Sequence, residues 1–118
     1  MPRLVLVADT TWVVNEVSTA LAAGEWEIEV ATDPRAAVTL VEESRPDAVI
    51  TDLQVDSKGG MAVIRAIRQL PGPRPRLVML LDRSADAFLA GRAGADAHVL
   101  KPIKAFDLRR ALAGDEEE

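Results

Sequence analysis

Short apolar runs alternate with segments of helical length along the whole chain, and that alternation constrains the fold more than any other feature. Leu4-Val5-Leu6-Val7-Ala8, Ala48-Val49-Ile50-Thr51, Leu77-Val78-Met79-Leu80-Leu81 and Ala97-His98-Val99-Leu100 are apolar almost throughout. This is the pattern of strands buried on both faces. Trp26-Glu27-Ile28-Glu29-Val30 alternates instead, which predicts an edge strand with one wet face. Between these runs the spacing predicts five helices. The first covers residues 12–23, with Val13, Val14, Val17, Ala20 and Leu21 on one stripe and Gly24 as the stop signal. The second opens at Asp33-Pro34, an N-cap followed by proline, and runs to about Glu43. The third covers 60–70, with Val63, Ile64 and Ile67 inward, and ends at Pro71-Gly72-Pro73. The fourth is capped by Ser84 and runs to about Ala93, with Phe88 and Leu89 inward; the fifth covers 105–112.

Strict β-α alternation with buried strands implies a parallel sheet covered on both faces by right-handed crossovers, a doubly wound α/β fold. The 118 residues suit one domain of ordinary core size, read as residues 1–113 with a disordered acidic tail over 114–118. Without the four acids of 115–118 the charge balance is 14 basic against 15 acidic residues, which points away from nucleic acid as a partner. With aromatic residues at 3%, there is no ladder of rings for base stacking either. No run approaches the roughly 18 apolar residues of a membrane span and no signal peptide is evident, so a soluble, cytoplasmic protein is expected. The absence of cysteine removes disulfides and thiolate chemistry, and His98, the single histidine, leaves no partner for a two-histidine zinc site.

In doubly wound sheets the site lies at the carboxyl ends of the strands. Those ends carry Asp9, Asp52, Leu81-Asp82 and Lys101-Pro102. Asp9 and Asp52 are hard oxygen ligands of the kind Mg²⁺ prefers, and Lys101 could neutralise a phosphoryl group. Simpler readings compete: Asp9 as a cap for the following helix, and Lys101 as a solvated loop lysine. Lys101-Pro102 also raises the possibility of a cis peptide bond.

Two acids and a lysine at these strand ends resemble the receiver domain of two-component response regulators. The specific matches are Pro46-Asp47-Ala48-Val49-Ile50-Thr51-Asp52-Leu53 with Gly60 closing the loop, Ala93-Gly94-Ala95-Asp96, and Lys101-Pro102. The resemblance covers residues 3 to about 113. It implies a flavodoxin-like five-stranded sheet in the order 2-1-3-4-5 with five helices. It also implies Asp52 as phosphoacceptor, Asp9 and the carbonyl of Gln54 as further Mg²⁺ ligands, and Lys101 as the contact to the phosphoryl oxygens. The implied partners are a histidine kinase or a small phosphodonor, and a downstream protein or a second copy met through the fourth helix, fifth strand and fifth helix. The expected role is a stand-alone signalling receiver, not an enzyme.

The chain departs from the family at several positions. Ala8 stands where the first of two adjacent acids is usual, Leu81 where a Ser or Thr serves as the switch hydroxyl, and His98 where a switching aromatic is usual. Val55-Asp56 replaces Met-Pro and Asp82 replaces a small residue, which brings two extra acids near the pocket. Ala8 and Leu81 favour an alternative, a pseudo-receiver that acts as an interaction module independent of phosphate. A small-molecule enzyme on the same fold is disfavoured, because Asp9-Thr10-Thr11-Trp12 has no glycine-rich phosphate loop. A haloacid-type phosphotransferase would want a second Asp where Gln54 stands.

Overall fold

A computed structural model describes residues 1–22, 24–56 and 59–114. Strands β1 (Arg3–Val7), β2 (Glu27–Ala31), β3 (Ala48–Asp52), β4 (Arg76–Leu81) and β5 (Ala97–Leu100) alternate with helices α1 (Thr11–Ala20), α2 (Pro34–Ser44), α3 (Gly60–Arg68), α4 (Ala87–Ala93) and α5 (Ala105–Ala113). The sheet is wholly parallel in the order β2-β1-β3-β4-β5, as expected. Side chains alternate across each strand, so the sheet divides the core in two. Leu4, Leu6, Ile50 and Leu80 face Val13 and Val17 of α1 and Leu108 of α5. Val5, Val7, Val49 and Met79 face Val41 of α2 and Ile64 and Ile67 of α3. Each fully buried Leu or Ile contributes roughly 1.5 to 3 kcal/mol through removal from water.

Local signals operate where the chain provides the partner. Asp33 Oδ1 accepts the Arg35 N–H at 3.1 Å, and Pro34 opens α2. Four expectations change in the folded protein. Helix α1 stops at Ala20, where the Ala22 N–H turns to the Thr19 carbonyl, and Gly24 takes φ +79 in the turn that follows; Ala23 lies outside the described residues. Ser84 does not cap α4: it begins a 3-10 turn over Ser84–Asp86, and the Asp86 carboxylate pairs with Arg83 instead. Phe88 is 59% exposed, because α4 starts only at Ala87 and buries Ala90 and Ala93, with Leu89 partly covered. Strand β5 lies at the sheet edge, so only Ala97 and Val99 are buried, while His98 and Leu100 are exposed. At the C-terminus Gly114 caps α5 in a left-handed conformation; the remainder of the expected acidic tail, 115–118, lies outside the described residues. No helix of the described residues is long and apolar enough to cross a membrane.

Two carboxylates pin the amino ends of the strands. Asp47 accepts the Arg3 N–H at 2.8 Å, and Asp96 accepts the Leu77 N–H at 2.8 Å while Arg74 binds both its oxygens. Partial burial works to raise the Asp96 carboxyl, but the bonds from Arg74 and Leu77 outweigh it and hold the group below its ordinary value of 3.8. A depressed carboxyl stabilises the fold above that pH and loses its contribution as pH falls through the folded value. Asp96→Ala should therefore cost about 1 to 3 kcal/mol in denaturant unfolding at neutral pH, with the deficit closing as the pH drops below the ordinary carboxylate range. At the opposite pole Gly60 opens α3 against the end of β3. A Cβ there would overlap the Asp52 carbonyl and the Leu53 Cα, both main-chain atoms that cannot swing aside. Gly60→Ala should lower stability by about 1 to 3 kcal/mol and shift the Asp52 amide resonance.

Candidate functional site

Parallel register brings the strand ends to one edge. Val7 lies beside Thr51 and Ala31, Asp52 beside Leu80, and Leu81 beside Leu100. The residues that follow converge on Asp52, whose side chain is 2% exposed. Lys101 Nζ donates to Asp52 Oδ1 at 2.9 Å, and the Gln54 main-chain N–H donates to the same oxygen at 3.1 Å. Lys101 is not a solvated loop lysine: its side chain is 7% exposed and its N–H binds the Leu81 carbonyl. The Lys101–Pro102 bond is cis.

Asp9 does not cap α1. Thr10 occupies the N-cap position, and Asp9 Oδ2 accepts the Asp56 N–H at 3.0 Å, tying the end of β1 to the loop after β3. Of the two extra acids, Asp82 reaches the centre: its Oδ1 lies 2.8 Å from Lys101 Nζ. The Trp12 ring lies under the same ammonium, 5.5 Å from its centroid. Burial alone would push the Lys101 ammonium down. The bonds and charges of Asp82 and Asp52 overcome it, so the group is raised and stays charged.

The role of Trp12 as the floor of the ammonium site has no local sequence signal, since the residue reads only as the start of a helix. The same holds for Glu16, whose carboxylate accepts the Ile103 N–H at 3.0 Å and holds the loop after Lys101 from α1. The two expected switch positions differ in burial, and the main chain of Leu81 meets the site where its carbonyl accepts the Lys101 N–H. Leu81 is fully buried in the apolar layer that includes Ala90 and Ala93, and His98 faces outward on the edge strand.

The oxygen donors fit a hard cation. Lys101 and Gln54 both use Asp52 Oδ1, and no described residue donates to Oδ2, which leaves that oxygen for metal or phosphorus. Asp9 and the Gln54 carbonyl add one carboxylate and one neutral oxygen. No group of three or more acidic or histidine side chains is set for a metal among the described residues. A metal with so few protein ligands keeps most of its shell as water, as Mg²⁺ does.

The family model for the response regulator receiver domain matches residues 4–113. Among curated proteins, the transcriptional regulatory protein PrrA of Mycobacterium tuberculosis is 31% identical over 108 residues, which are 91% of this chain and 46% of PrrA. The response regulator MprA of Mycolicibacterium vanbaalenii is 35% identical over 115 residues, 96% of this chain and 48% of MprA. The chain spans about half the length of the curated relatives it matches. Among solved structures, the Vibrio cholerae chemotaxis response regulator CheY4 superposes with a TM-score of 0.81 at 23% identity, covering 97% of this chain and 98% of CheY4. The receiver domain of a Pseudomonas aeruginosa sensor histidine kinase, described with a magnesium ion coordinated in its active-site cleft, reaches a TM-score of 0.84 at 25% identity and covers 96% and 95% of the two chains. The match to the family model runs through every strand end that meets at Asp52, and the chain belongs to the response regulator receiver domain family, the signalling modules of two-component systems.

Proposed function

We propose that this receiver accepts a phosphoryl group on Asp52 and signals by protein contact. The observation that carries the reading is the buried Asp52–Lys101 pair, a carboxylate nucleophile with a fixed cation at 2.9 Å. The Asp52 carboxylate attacks phosphorus, and the Lys101 ammonium offsets charge on the transferred oxygens. Asp9, Asp52 and the Gln54 carbonyl would hold Mg²⁺, which when bound supplies charge neutralisation on the phosphoryl oxygens. Ala8 removes one acid from that set, so metal affinity is expected to be weak. The donor is a histidine kinase or a small phosphodonor, and the proposed location is the cytoplasm.

The output surface is the face of α4, β5 and α5. Phe88, Leu100 and Phe106 are exposed there, and Phe106 carries the Arg110 guanidinium over its ring at 5.5 Å. Arg92 and Lys104 add basic character, whereas Arg109 turns to Glu25 at 3.2 Å. An acidic or self-complementary partner fits this face, with Asp107 available to a second copy.

A second reading, the phosphate-independent pseudo-receiver, is favoured by two residues. Ala8 and Leu81 are both fully buried, one where an acid and one where a hydroxyl would serve the phosphorylated state. A leucine packed in the core cannot bond a phosphoryl oxygen, so a group on Asp52 has little differential affinity for two conformers of the distal face.

Incubation with acetyl phosphate and Mg²⁺ should add the mass of one phosphoryl group to the intact protein and none to Asp52→Asn; an unlabelled wild type would favour the pseudo-receiver. Beryllium trifluoride with Mg²⁺ should shift NMR signals at Asp9, Asp52 and Lys101 while leaving Phe88, His98 and Phe106 nearly unchanged, and Leu81→Thr should restore the distal response. Large wild-type shifts at His98 and Phe106 would show that the switch is intact without a hydroxyl at position 81.

A further inference from the structure

Among the described residues three groups neighbour the Lys101 ammonium: Asp52 Oδ1 at 2.9 Å, Asp82 Oδ1 at 2.8 Å and the Trp12 ring, 5.5 Å to its centroid. An ammonium has three donors, and two of them are committed to carboxylates. The two carboxylates differ in setting. Asp52 is 2% exposed and Asp82 46%, so Asp82 stands at the mouth of the pocket. It also differs from the structural acids of this fold. Asp33, Asp47 and Asp96 each accept a main-chain N–H, whereas Lys101 is the partner of Asp82 among the described residues. Among the described residues Asp82 accepts no main-chain N–H; its contact is to Lys101.

We propose that Asp82 is a positioning residue that restrains Lys101 in the unphosphorylated protein and so sets the rate at which Asp52 takes a phosphoryl group from a small donor. The inference rests on the reading of Asp52 as phosphoacceptor. With acetyl phosphate, a carboxylate oxygen of Asp52 bonds to phosphorus, the phosphorus–oxygen bond to the acetyl group breaks, and acetate leaves with the electron pair. With phosphoramidate, protonated on nitrogen, a carboxylate oxygen of Asp52 bonds to phosphorus, the phosphorus–nitrogen bond breaks and ammonia leaves with the electron pair. In both, Lys101 helps when its ammonium moves toward the transferred oxygens, a shift that its two carboxylate bonds resist. Asp82 supplies one of those bonds. The half-exposed member limits the strength of the pair, and restraint of this size corresponds to roughly a fivefold effect on rate.

Asp82→Asn keeps the side chain's size and removes its charge. It should be labelled roughly fivefold faster than the wild type by acetyl phosphate with Mg²⁺, and by a similar factor with phosphoramidate. Beryllium trifluoride binding, followed by Trp12 emission in a Trp26→Phe background, should tighten to the same degree. In the metal-free protein the Lys101 ammonium signal in ¹⁵N NMR, visible while the group is held, should broaden in Asp82→Asn. Equal rates and equal beryllium trifluoride affinity in the two proteins overturn the inference and leave Asp52 as phosphoacceptor. A rise confined to the more highly charged acetyl phosphate also overturns it, in favour of simple repulsion at the pocket mouth. Failure of both proteins to label or to bind beryllium trifluoride overturns this inference and the phosphoacceptor reading together, whereas labelling of Asp82→Asn alone upholds the restraint by Asp82 and favours the pseudo-receiver reading of the wild type.

Discussion

The ion pair between Asp52 and Lys101 is the interaction on which the site depends, and burying it carries a cost. Removing a carboxylate and an ammonium from water costs several kcal/mol for each ion, and attraction between them offsets this only when the remaining hydrogen-bonding capacity is satisfied. Three groups meet that condition at Lys101 and at one Asp52 oxygen. The Gln54 N–H reaches the same Asp52 oxygen, Asp82 takes a second donor of Lys101, and the Trp12 ring faces the ammonium. Glu16 holds the loop beyond Lys101 through the Ile103 N–H. A salt bridge of this kind is weak evidence for stability, and its place at the carboxyl ends of β3 and β5 gives it chemical rather than structural meaning.

The sheet uses acids in opposite ways at its two poles. At the amino ends, Asp47 and Asp96 are consumed by main-chain N–H groups of neighbouring strands and fix where pairing begins. At the carboxyl ends, Asp52 keeps an oxygen free of described donors, and Asp82 meets Lys101 among the described residues. Gly60 lets α3 start directly against the Asp52 carbonyl, a close approach that any Cβ would block. The side chain at position 81 belongs to the apolar layer. Leu81 shares that layer with Ala90 and Ala93 of α4 while His98 is exposed on β5, so position 81 offers no hydroxyl to couple the charged site to the exposed face of Phe88, Leu100 and Phe106.

The element order, the parallel α/β class and the identity of the residues at the strand ends are legible in the chain's local pattern. These follow from local pattern: a run of β-branched residues reads as a strand, and Asp33-Pro34 starts a helix wherever it is placed. The placement of Asp9, Asp52 and Lys101 at one edge of the sheet also followed, because a doubly wound sheet gathers its carboxyl ends. Strand order and partners far apart in the chain account for the rest. Ala97-His98-Val99-Leu100 is apolar enough for a central strand, yet β5 has a neighbour on one side only, and His98 and Leu100 face outward. Phe88 reads as core by its hydrophobicity, but the 3-10 turn before α4 sets the helix phase and leaves it in solvent. The sharing of Lys101 between Asp52, 49 residues away, and Asp82 was equally hidden, because no local propensity encodes which of several nearby acids a buried ammonium will meet.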